Sequence, residues 1–264
     1  MVRSLWTAAT GMYAQQMNID NMSNNLANVN THGFKKGRIL FQDLLYQDIK
    51  AAGAVTAAGV NHPSGIQMGM GVATVAIQKI HAQGQGNYEN TYNQLDLTIE
   101  GDGYFQVTLP DGNIGYIRSG AFSIDANGDV VTPEGYLLEP GINIPENAKS
   151  ISVSSDGIVS VALPGEEEET ELGQLEIARF INPSGLSSIG ENIYLATGAS
   201  GAAQVGIPSE DGYGKVRQGF LETSNVIMVT EMVNMITGQR AYEMNSKAIQ
   251  TSDEMLQTVA SLKR

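Results

Sequence analysis

The side chains that most often perform catalysis or bind metals are few in this chain and form no recognisable site. The three histidines, His32, His62 and His81, do not have the spacing of metal ligands, and the chain contains no cysteine. We therefore predict that the histidines are surface or loop residues. The lack of cysteine excludes disulfides, thiolate metal sites and thiol nucleophiles, and fits a protein that works outside the cytosol.

Two short motifs could suggest a ligand site, and neither is complete. Residues 125–129 (DANGD) resemble the start of a calcium loop, but Val130 and Tyr136 occupy the positions where such a loop needs glycine and glutamate. An Asn-Gly pair favours a tight turn, so we interpret this stretch as a hairpin. Residues 69–71 (GMG) are followed by Thr74, not by the glycine of a dinucleotide fingerprint. We expect no catalytic residues, no metal and no cofactor, and therefore no enzyme.

Charge is distributed unevenly along the 264 residues. Residues 1–38 carry a net charge of +3, residues 39–214 carry −17 and residues 215–264 carry +1, which gives −13 in total. An acidic middle argues against nucleic acid as a partner, because phosphate binding needs a basic face. No apolar run approaches the ~18 residues of a membrane span, and no ordinary signal peptide is visible at the N-terminus. We expect no membrane insertion, and export, if it occurs, by another route.

The first 36 residues predict an amphipathic helix with a sparse apolar seam. Two interleaved series with a seven-residue spacing form this seam: Leu5, Met12, Ile19 and Leu26, and then Ala8, Gln15, Met22 and Val29. The later part of the helix is rich in asparagine, which is a mediocre helix former, and includes Asn24, Asn25 and Asn28. We interpret these amides as groups that bond to other chains. Gly33 is the candidate C-cap.

The C-terminal 42 residues repeat the same period. Residues at a seven-residue spacing again mark one face of a helix: Met228, Met235, Tyr242, Ile249 and Leu256. The predicted helix covers about 40 residues, or roughly 60 Å at 1.5 Å per residue. Two terminal helices of matching period predict a filament subunit with an inner helical layer, or else an ordinary two-helix coiled-coil stalk.

The middle of the chain predicts an all-β domain. Apolar residues alternate with polar ones, and Gly-containing turn pairs recur at residues 111–112, 127–128, 134–135 and 156–157. We expect an antiparallel barrel or sandwich, with residues 166–169 (EEEE) at an exposed loop tip. Residues 51–71 are rich in Gly and Ala and lack periodicity, so an extended excursion or long hairpin and a flexible linker remain equal alternatives.

The predicted fold class is therefore α+β, with long terminal helices forming a coiled-coil-like inner domain and an inserted β domain outside. The predicted divisions are an N-terminal helix (1–36), a linker with an extended insert (37–71), the β domain (72–206), a return linker (207–222) and a C-terminal helix (223–264).

Several motifs resemble those of the bacterial flagellar basal-body rod and hook family, and the resemblance spans essentially the whole chain. They are SNNLANVNTHGFKK (23–36), GDGYF (101–105), SGAFSIDANG (119–128), GFLETSNV (219–226), MVNMI (232–236) and QRAYEMNSK (239–247). Within the family, the openings SLWTAATGM (4–12) and DLLYQ (43–47), the insert up to PSGIQMG (63–69) and the run SIGEN (188–192) are most similar to distal rod subunits.

The resemblance implies a self-assembling helical tube that transmits motor torque to the hook. It implies that the terminal helices line the inner wall, with an assembly interface that includes Leu5, Met12, Ile19, Met22, Leu26, Asn24, Asn25, Asn28, Met228, Met235, Tyr242, Ile249 and Leu256. It also implies a rod-stiffening insert that includes Tyr46, Ala51, Val55, Pro63, Gly65 and Gly69.

The expected partners are further copies of the chain, other rod proteins, the hook protein, the surrounding ring proteins and the type III export apparatus. The expected location is the basal body, outside the cytoplasmic membrane. The alternatives are a proximal rod or hook-type subunit, or a secreted β-domain binding module that dimerises through a coiled coil. A dimer closes on itself, whereas a rod subunit polymerises head to tail, so the mass in solution distinguishes the last alternative.

Overall fold

The α+β class is confirmed in a computed structural model, which describes residues 2–50, 64–81, 88–165 and 169–262. Two long helices, α1 (Val2–Ala27) and α2 (Met228–Ser261), lie at the two ends of the chain, and all the described strands lie between them. Neither helix has a stretch apolar enough to cross a membrane within the described residues. The chain divides into two compact units.

The first unit combines both helices with four strands, and comprises Met1–Ala27, Gly37–Gln78 and Ile227–Arg264. Its strands are β1 (Gly37–Asp43), β2 (Tyr46–Lys50), β3 (Ile66–Gly69) and β4 (Val72–Lys79). Strand β1 pairs with β4, and β2 pairs antiparallel with β3, with Tyr46 opposite Gly69. Residues 51–63 between β2 and β3 lie outside the described residues. Three residues of the predicted stiffening insert, Ala51, Val55 and Pro63, belong to this range.

The second unit, Asn28–Lys36 and Lys79–Val226, is a β unit. Its strands are β5 (Tyr88–Asn90), β6 (Leu97–Glu100), β7 (Tyr104–Thr108), β8 (Ile114–Ile117), β9 (Ser123–Ile124), β10 (Val130–Val131), β11 (Leu137–Glu139), β12 (Ser150–Val153), β13 (Ile158–Ala162), β14 (Thr170–Gln174), β15 (Ile177–Arg179), β16 (Ser187–Gly190), β17 (Ile193–Leu195), β18 (Gln204–Gly206), β19 (Lys215–Gln218) and β20 (Phe220–Glu222). A short 3-10 helix covers Pro183–Gly185.

One large antiparallel sheet organises the β unit. Seven strands follow the order β16-β17-β8-β7-β11-β10-β9. Strand β15 pairs antiparallel with β7, and β18 pairs antiparallel with β15. Smaller sheets are formed by β12-β13-β14, by β19-β6 and by β20-β5. Successive side chains of a strand point to opposite faces. In β7, Phe105 and Val107 accordingly enter the main core, whereas Tyr104 joins a separate aromatic cluster with Tyr116 and Tyr194.

The predicted hairpin turns are confirmed. Gly112, Gly128, Gly135 and Gly157 all have positive φ, and each lies between two consecutive strands that pair antiparallel. Residues 125–129 form one of these turns, so the stretch that resembles a calcium loop joins β9 to β10. Of the predicted acidic loop tip, residues 166–168 lie outside the described residues.

The helix ends differ from the sequence-based expectation. Helix α1 ends at Ala27, so Gly33 is not its C-cap, and α2 begins at Met228 instead of residue 223. Gly33 has φ +72°, and an added Cβ there would lie 2.6 Å from the backbone nitrogen of Ser119. Glycine is therefore required at this position for a close backbone approach inside the β unit.

Candidate assembly interface

The two helices of the first unit contact each other through small and polar residues. On α2, the residues that are buried are Glu231, Gly238 and Ser252, whose separations of seven and fourteen residues place them on one face of the helix. The Ser4 and Ser252 hydroxyl oxygens lie 3.2 Å apart, and a Cβ added to Gly238 would lie 3.4 Å from Cγ1 of Ile19. Small side chains let the two backbones approach closely, so this seam contributes little apolar burial.

The large apolar residues that the heptad pattern singled out are only partly covered within the chain. The half-buried ones are Leu5, Met12, Ile19, Met22, Leu26, Met235, Ile249 and Leu256. Met228 and Tyr242 are exposed, with 47% and 38% of their surface accessible. The helix pair of one chain thus leaves part of its own apolar seam uncovered.

The asparagines of α1 do not all behave as predicted. Asn25 is buried, and its amide exchanges two hydrogen bonds of 2.9 Å with the backbone of Gly37, one as donor and one as acceptor. It also donates to Glu231 Oε2 at 3.4 Å, and Asn21 donates to the Gly37 carbonyl at 2.8 Å. The expectation that Asn25 bonds to another chain is corrected, because its polar atoms are satisfied inside its own chain.

The two other asparagines of the predicted interface differ from Asn25. Asn24 is exposed on α1. Asn28 lies in the β unit, where it is half-buried and accepts a hydrogen bond of 3.1 Å from the Thr31 hydroxyl. Of the three asparagines, therefore, only Asn24 presents its side chain on the exposed surface of a helix.

A second apolar face on α2 was missed by the sequence analysis. Val229, Met232, Val233 and Ile236 are each at least half exposed, and their spacing of three, four and seven residues places them on one side of the helix. We call these four residues the α2 stripe. That spacing was readable in the sequence, but the seven-residue pattern singled out Met228, Met235, Tyr242, Ile249 and Leu256 instead.

Aromatic residues on α1 are also exposed. Trp6 and Tyr13 have 68% and 65% of their surface accessible, and their separation of seven residues places them on one face. Soluble monomers rarely expose several large apolar patches, and such patches mark interaction sites.

The β2–β3 ribbon presents apolar side chains as well. The exposed members are Leu45, Tyr46, Ile49, Ile66 and Met68. A Cβ on Gly69 would lie 3.3 Å from the Tyr46 ring, so two residues of the predicted stiffening insert are neighbours across this ribbon. Gly65 lies just before β3.

His81 lies in the loop that follows β4, as predicted, but its side chain is half-buried and not on the open surface. Its ring packs edge-on against Tyr104 and Tyr194, and Nδ1 lies 2.8 Å from the Tyr104 hydroxyl. Burial lowers the pKa of His81 to about 4, and the nearby positive charges of Lys35, Lys79 and Arg118 add to this effect. His32 is half-buried, and His62 lies outside the described residues.

No metal site accompanies these features in the described part of the chain. No group of three or more histidines, cysteines or carboxylates is placed to hold an ion there.

Comparison with known families agrees with this description. Residues 5–35 match the family described as flagella basal body rod protein, and residues 98–161 match the D1 domain of the flagellar hook protein FlgE/F/G. Residues 217–262 match the C-terminal region of the flagellar basal body rod FlgEFG proteins.

Full-length relatives give the same result. A flagellar basal-body rod protein FlgG of Borreliella burgdorferi is 51% identical over 266 residues and covers 100% of both chains. Its namesake in Buchnera aphidicola is 49% identical over 262 residues, which is 99% of this chain and 100% of the relative. A third, from Bacillus subtilis, is 40% identical over 269 residues and again covers 100% of both chains.

Proposed function

This chain belongs to the flagellar basal-body rod protein family, and we propose that it polymerises into the distal rod, a rigid helical tube that transmits motor torque to the hook. It is a structural subunit of the flagellar rod and not an enzyme. Its place is the basal body of the flagellum.

The observation that carries the polymerisation proposal is the uncovered apolar surface of the first unit. The α2 stripe, the Trp6–Tyr13 face and the β2–β3 ribbon are all exposed in one chain. Burying a large apolar side chain is worth roughly 1.5–3 kcal/mol, so covering these faces offers a large driving force for association. Further copies of the same chain would cover them repeatedly, because a contact between two different faces repeats from copy to copy and builds an open helix when its rotation does not close into a ring.

We propose that the helices of neighbouring copies form a coiled-coil-like inner layer. The seam residues Leu5, Met12, Ile19, Met22 and Leu26 would then meet Met228, Met235, Tyr242, Ile249 and Leu256 of other copies, with Asn24 and Asn28 among the polar contacts. This proposal is supported by the partial exposure of these residues, since the helix pair of a single chain leaves them incompletely packed. Asn25 is not part of it.

We further propose that the β unit forms a barrel-like or sandwich-like outer layer, and that the chain is organised as 1–36, 37–71, 72–206, 207–222 and 223–264. The insert, which includes Tyr46, Ala51, Val55, Pro63, Gly65 and Gly69, would contact neighbouring subunits and stiffen the rod. The exposed Tyr46, Ile49, Ile66 and Met68 of the β2–β3 ribbon support such contacts.

The proposed partners are other rod proteins, the hook protein, the surrounding ring proteins and the export apparatus, and the proposed location is outside the cytoplasmic membrane. The acidic middle of the chain, residues 39–214 with a net charge of −17, contains most of the β unit and supports its outer position, because excess negative charge keeps a surface hydrated and limits adhesion.

The experiment that tests polymerisation is sedimentation of the purified full chain at rising concentration, followed by electron microscopy. We expect open-ended tubes. A discrete dimer that does not grow with concentration would contradict the proposal and would support the coiled-coil binding module instead.

A further inference from the structure

Three charged side chains are buried together in the β unit. Lys35, Arg118 and Glu222 are 4%, 7% and 4% exposed. Lys35 Nζ donates to Glu222 Oε1 at 2.6 Å, and Arg118 Nε donates to Oε2 of the same carboxylate at 2.5 Å. Each carboxylate oxygen therefore has its own cation, and the cluster carries a net charge of +1.

Arg118 extends this cluster to a turn of the β unit. Its remaining hydrogen bonds go to three backbone carbonyls, those of Ile99 at 2.6 Å, Gly101 at 2.8 Å and Gly103 at 2.5 Å. A planar guanidinium can satisfy several acceptors in a fixed geometry, which an ammonium cannot do as well. The turn at residues 101–103 is thus held by Arg118 and by a hydrogen bond of 2.7 Å from Gly214 N–H to the Asp102 carbonyl, since β6 and β7 do not pair with each other.

Four further hydrogen bonds, two of them made by the Asn225 side chain, connect the ionic cluster to the points where the chain enters and leaves the β unit. Gly33 N–H donates to the Glu222 carbonyl at 2.8 Å, and Lys36 N–H donates to the Asn225 side chain at 2.8 Å. Asn225 donates in turn to the Ile80 carbonyl at 2.9 Å, and Ile80 N–H donates to the Lys36 carbonyl at 2.9 Å.

Three connecting segments therefore meet at one site: the one that follows α1 (33–36), the one that follows β4 (80–81) and the one that precedes α2 (222–225). Lys35 and Glu222 lie 187 positions apart in the chain. The motifs GFKK, GDG and GFLETSNV, which polymerisation through the helices leaves unexplained, are all parts of this site.

We propose that Lys35, Arg118 and Glu222 form an ionic lock that holds all three connecting segments in place on the β unit in the free, unassembled subunit. The lock forms within the β unit alone and needs neither the helices nor a second copy. The segments that connect to α1 and α2 are then already ordered before assembly. Assembly therefore has to offset only the loss of conformational entropy of the first unit, and not that of the connecting segments.

Electrostatics explain why the lock uses charges. Burial by itself would raise the pKa of Glu222, but Arg118 and Lys35 outweigh it and hold the pKa below its ordinary value. A buried charge that loses its partner is strongly penalised, so a misplaced segment 33–36 or 222–225 would leave an unpaired charge in the interior. The cluster thus disfavours alternative placements as well as stabilising the observed one.

The test is hydrogen exchange, measured by mass spectrometry or NMR on the monomeric full chain. In the native protein we expect the amides of Gly33, Lys36 and Ile80 to be protected to the same degree as the core amides of β7. In Glu222→Gln, the protection of these three amides should fall on the order of 100-fold, because two buried cations lose their common partner. The β7 amides should keep most of their protection.

A matched control uses the exposed ion pair of the same unit. Glu100 and Arg217 are 53% and 41% exposed, and their charged groups are 3.8 Å apart. Glu100→Gln makes the same chemical change and should leave the exchange of Gly33, Lys36 and Ile80 unchanged, because exposed pairs contribute little.

A milder variant covers the case in which Glu222→Gln unfolds the whole unit. Lys35→Met leaves the Arg118–Glu222 pair intact and should speed exchange at Gly33 and Lys36 only. Native-like protection at these amides in a folded variant would overturn the lock. If Lys35→Met reduced the protection of the β7 amides as much as that of Gly33 and Lys36, the lock would also be overturned. The charges would then stabilise the whole β unit and not the connecting segments in particular.

Discussion

The side-chain amide of Asn25 makes two hydrogen bonds of 2.9 Å with the backbone of Gly37. Asn25 Nδ2 donates to the Gly37 carbonyl, and the Gly37 N–H donates to Asn25 Oδ1. This pairing joins the last turn of α1 to the first residue of β1. It also explains why an amide is placed in a buried position on a helix, where asparagine is otherwise a poor choice.

Replacing Asn25 by alanine should destabilise the first unit by about 1–3 kcal/mol, because the Gly37 N–H would lose its acceptor and the Gly37 carbonyl would keep only Asn21 as a donor. Circular dichroism at 222 nm during chemical denaturation measures this loss. The control is Gln16→Ala, an exposed position on the same helix. Equal denaturation midpoints for Asn25→Ala and Gln16→Ala would contradict a stabilising role for the Asn25–Gly37 hydrogen bonds.

Two glycines in the helix pair should respond differently to alanine. A Cβ at Gly238 meets Ile19 at an ordinary 3.4 Å, so Gly238→Ala should stabilise the helix by up to about 1 kcal/mol through its better propensity. A Cβ at Gly11 would lie 3.0 Å from Asn245 Nδ2, so Gly11→Ala should gain less or destabilise. Thermal unfolding measures the melting temperature of each variant, and we expect Gly238→Ala to melt at the higher temperature. A higher melting temperature for Gly11→Ala would refute the described packing.

The α2 stripe should be needed for assembly and not for folding. Val233 is 58% exposed, so Val233→Glu should leave the monomer as stable as the native chain while it blocks polymer growth. Sedimentation and light scattering measure the growth. Gln239→Glu, which adds the same charge at an exposed position of the same helix, is the control and should still polymerise. Normal tubes from Val233→Glu would exclude the stripe from the interface.

His81 should remain neutral well below the pH at which free histidine titrates. Its pKa of about 4 in the folded state lies below the ordinary value of 6.5, so the unfolded chain binds a proton first as the pH falls. The contribution of His81 to the free energy of unfolding is therefore fully present above about pH 6.5. It is lost as the pH falls towards 4, and the loss is at most about 3 kcal/mol.

NMR titration of the histidine ring protons tests this directly, and His81→Gln identifies the resonance. The same variant should flatten the pH dependence of unfolding between pH 6.5 and 4. A midpoint for His81 near 6.5 would show that the ring is not held in the aromatic cluster.

Deleting residues 51–69 should change the shape of the polymer more than the ability to form it. These residues include β3, whose exposed Ile66 and Met68 we assign to contacts with neighbouring subunits. Without them we expect tubes that curve, as seen by electron microscopy. Deletion of the acidic residues 166–169 is the control and should give straight tubes, and straight tubes from both deletions would refute the stiffening role.

The hairpin turns and the two helices could be read directly from the sequence because their causes are local. The positive φ of Gly112, Gly128, Gly135 and Gly157 is favoured by the Asp-Gly, Asn-Gly and Glu-Gly pairs themselves, and the helical heptads follow from spacing along the chain. The resemblance of the terminal motifs to a known family was likewise contained in short runs of residues.

Long-range contacts could not be read in this way. The sequence indicated an asparagine-rich helix, but the position of Gly37 decided that Asn25 bonds within its own chain. The α2 stripe differs from the seam only by which side of the helix faces α1, and that choice depends on the partner helix. The sequence by itself determined the elements, the turns and the family. Only the tertiary structure brought Lys35, Arg118 and Glu222 together, because a buried charge cluster depends on segments 187 positions apart that no local pattern connects.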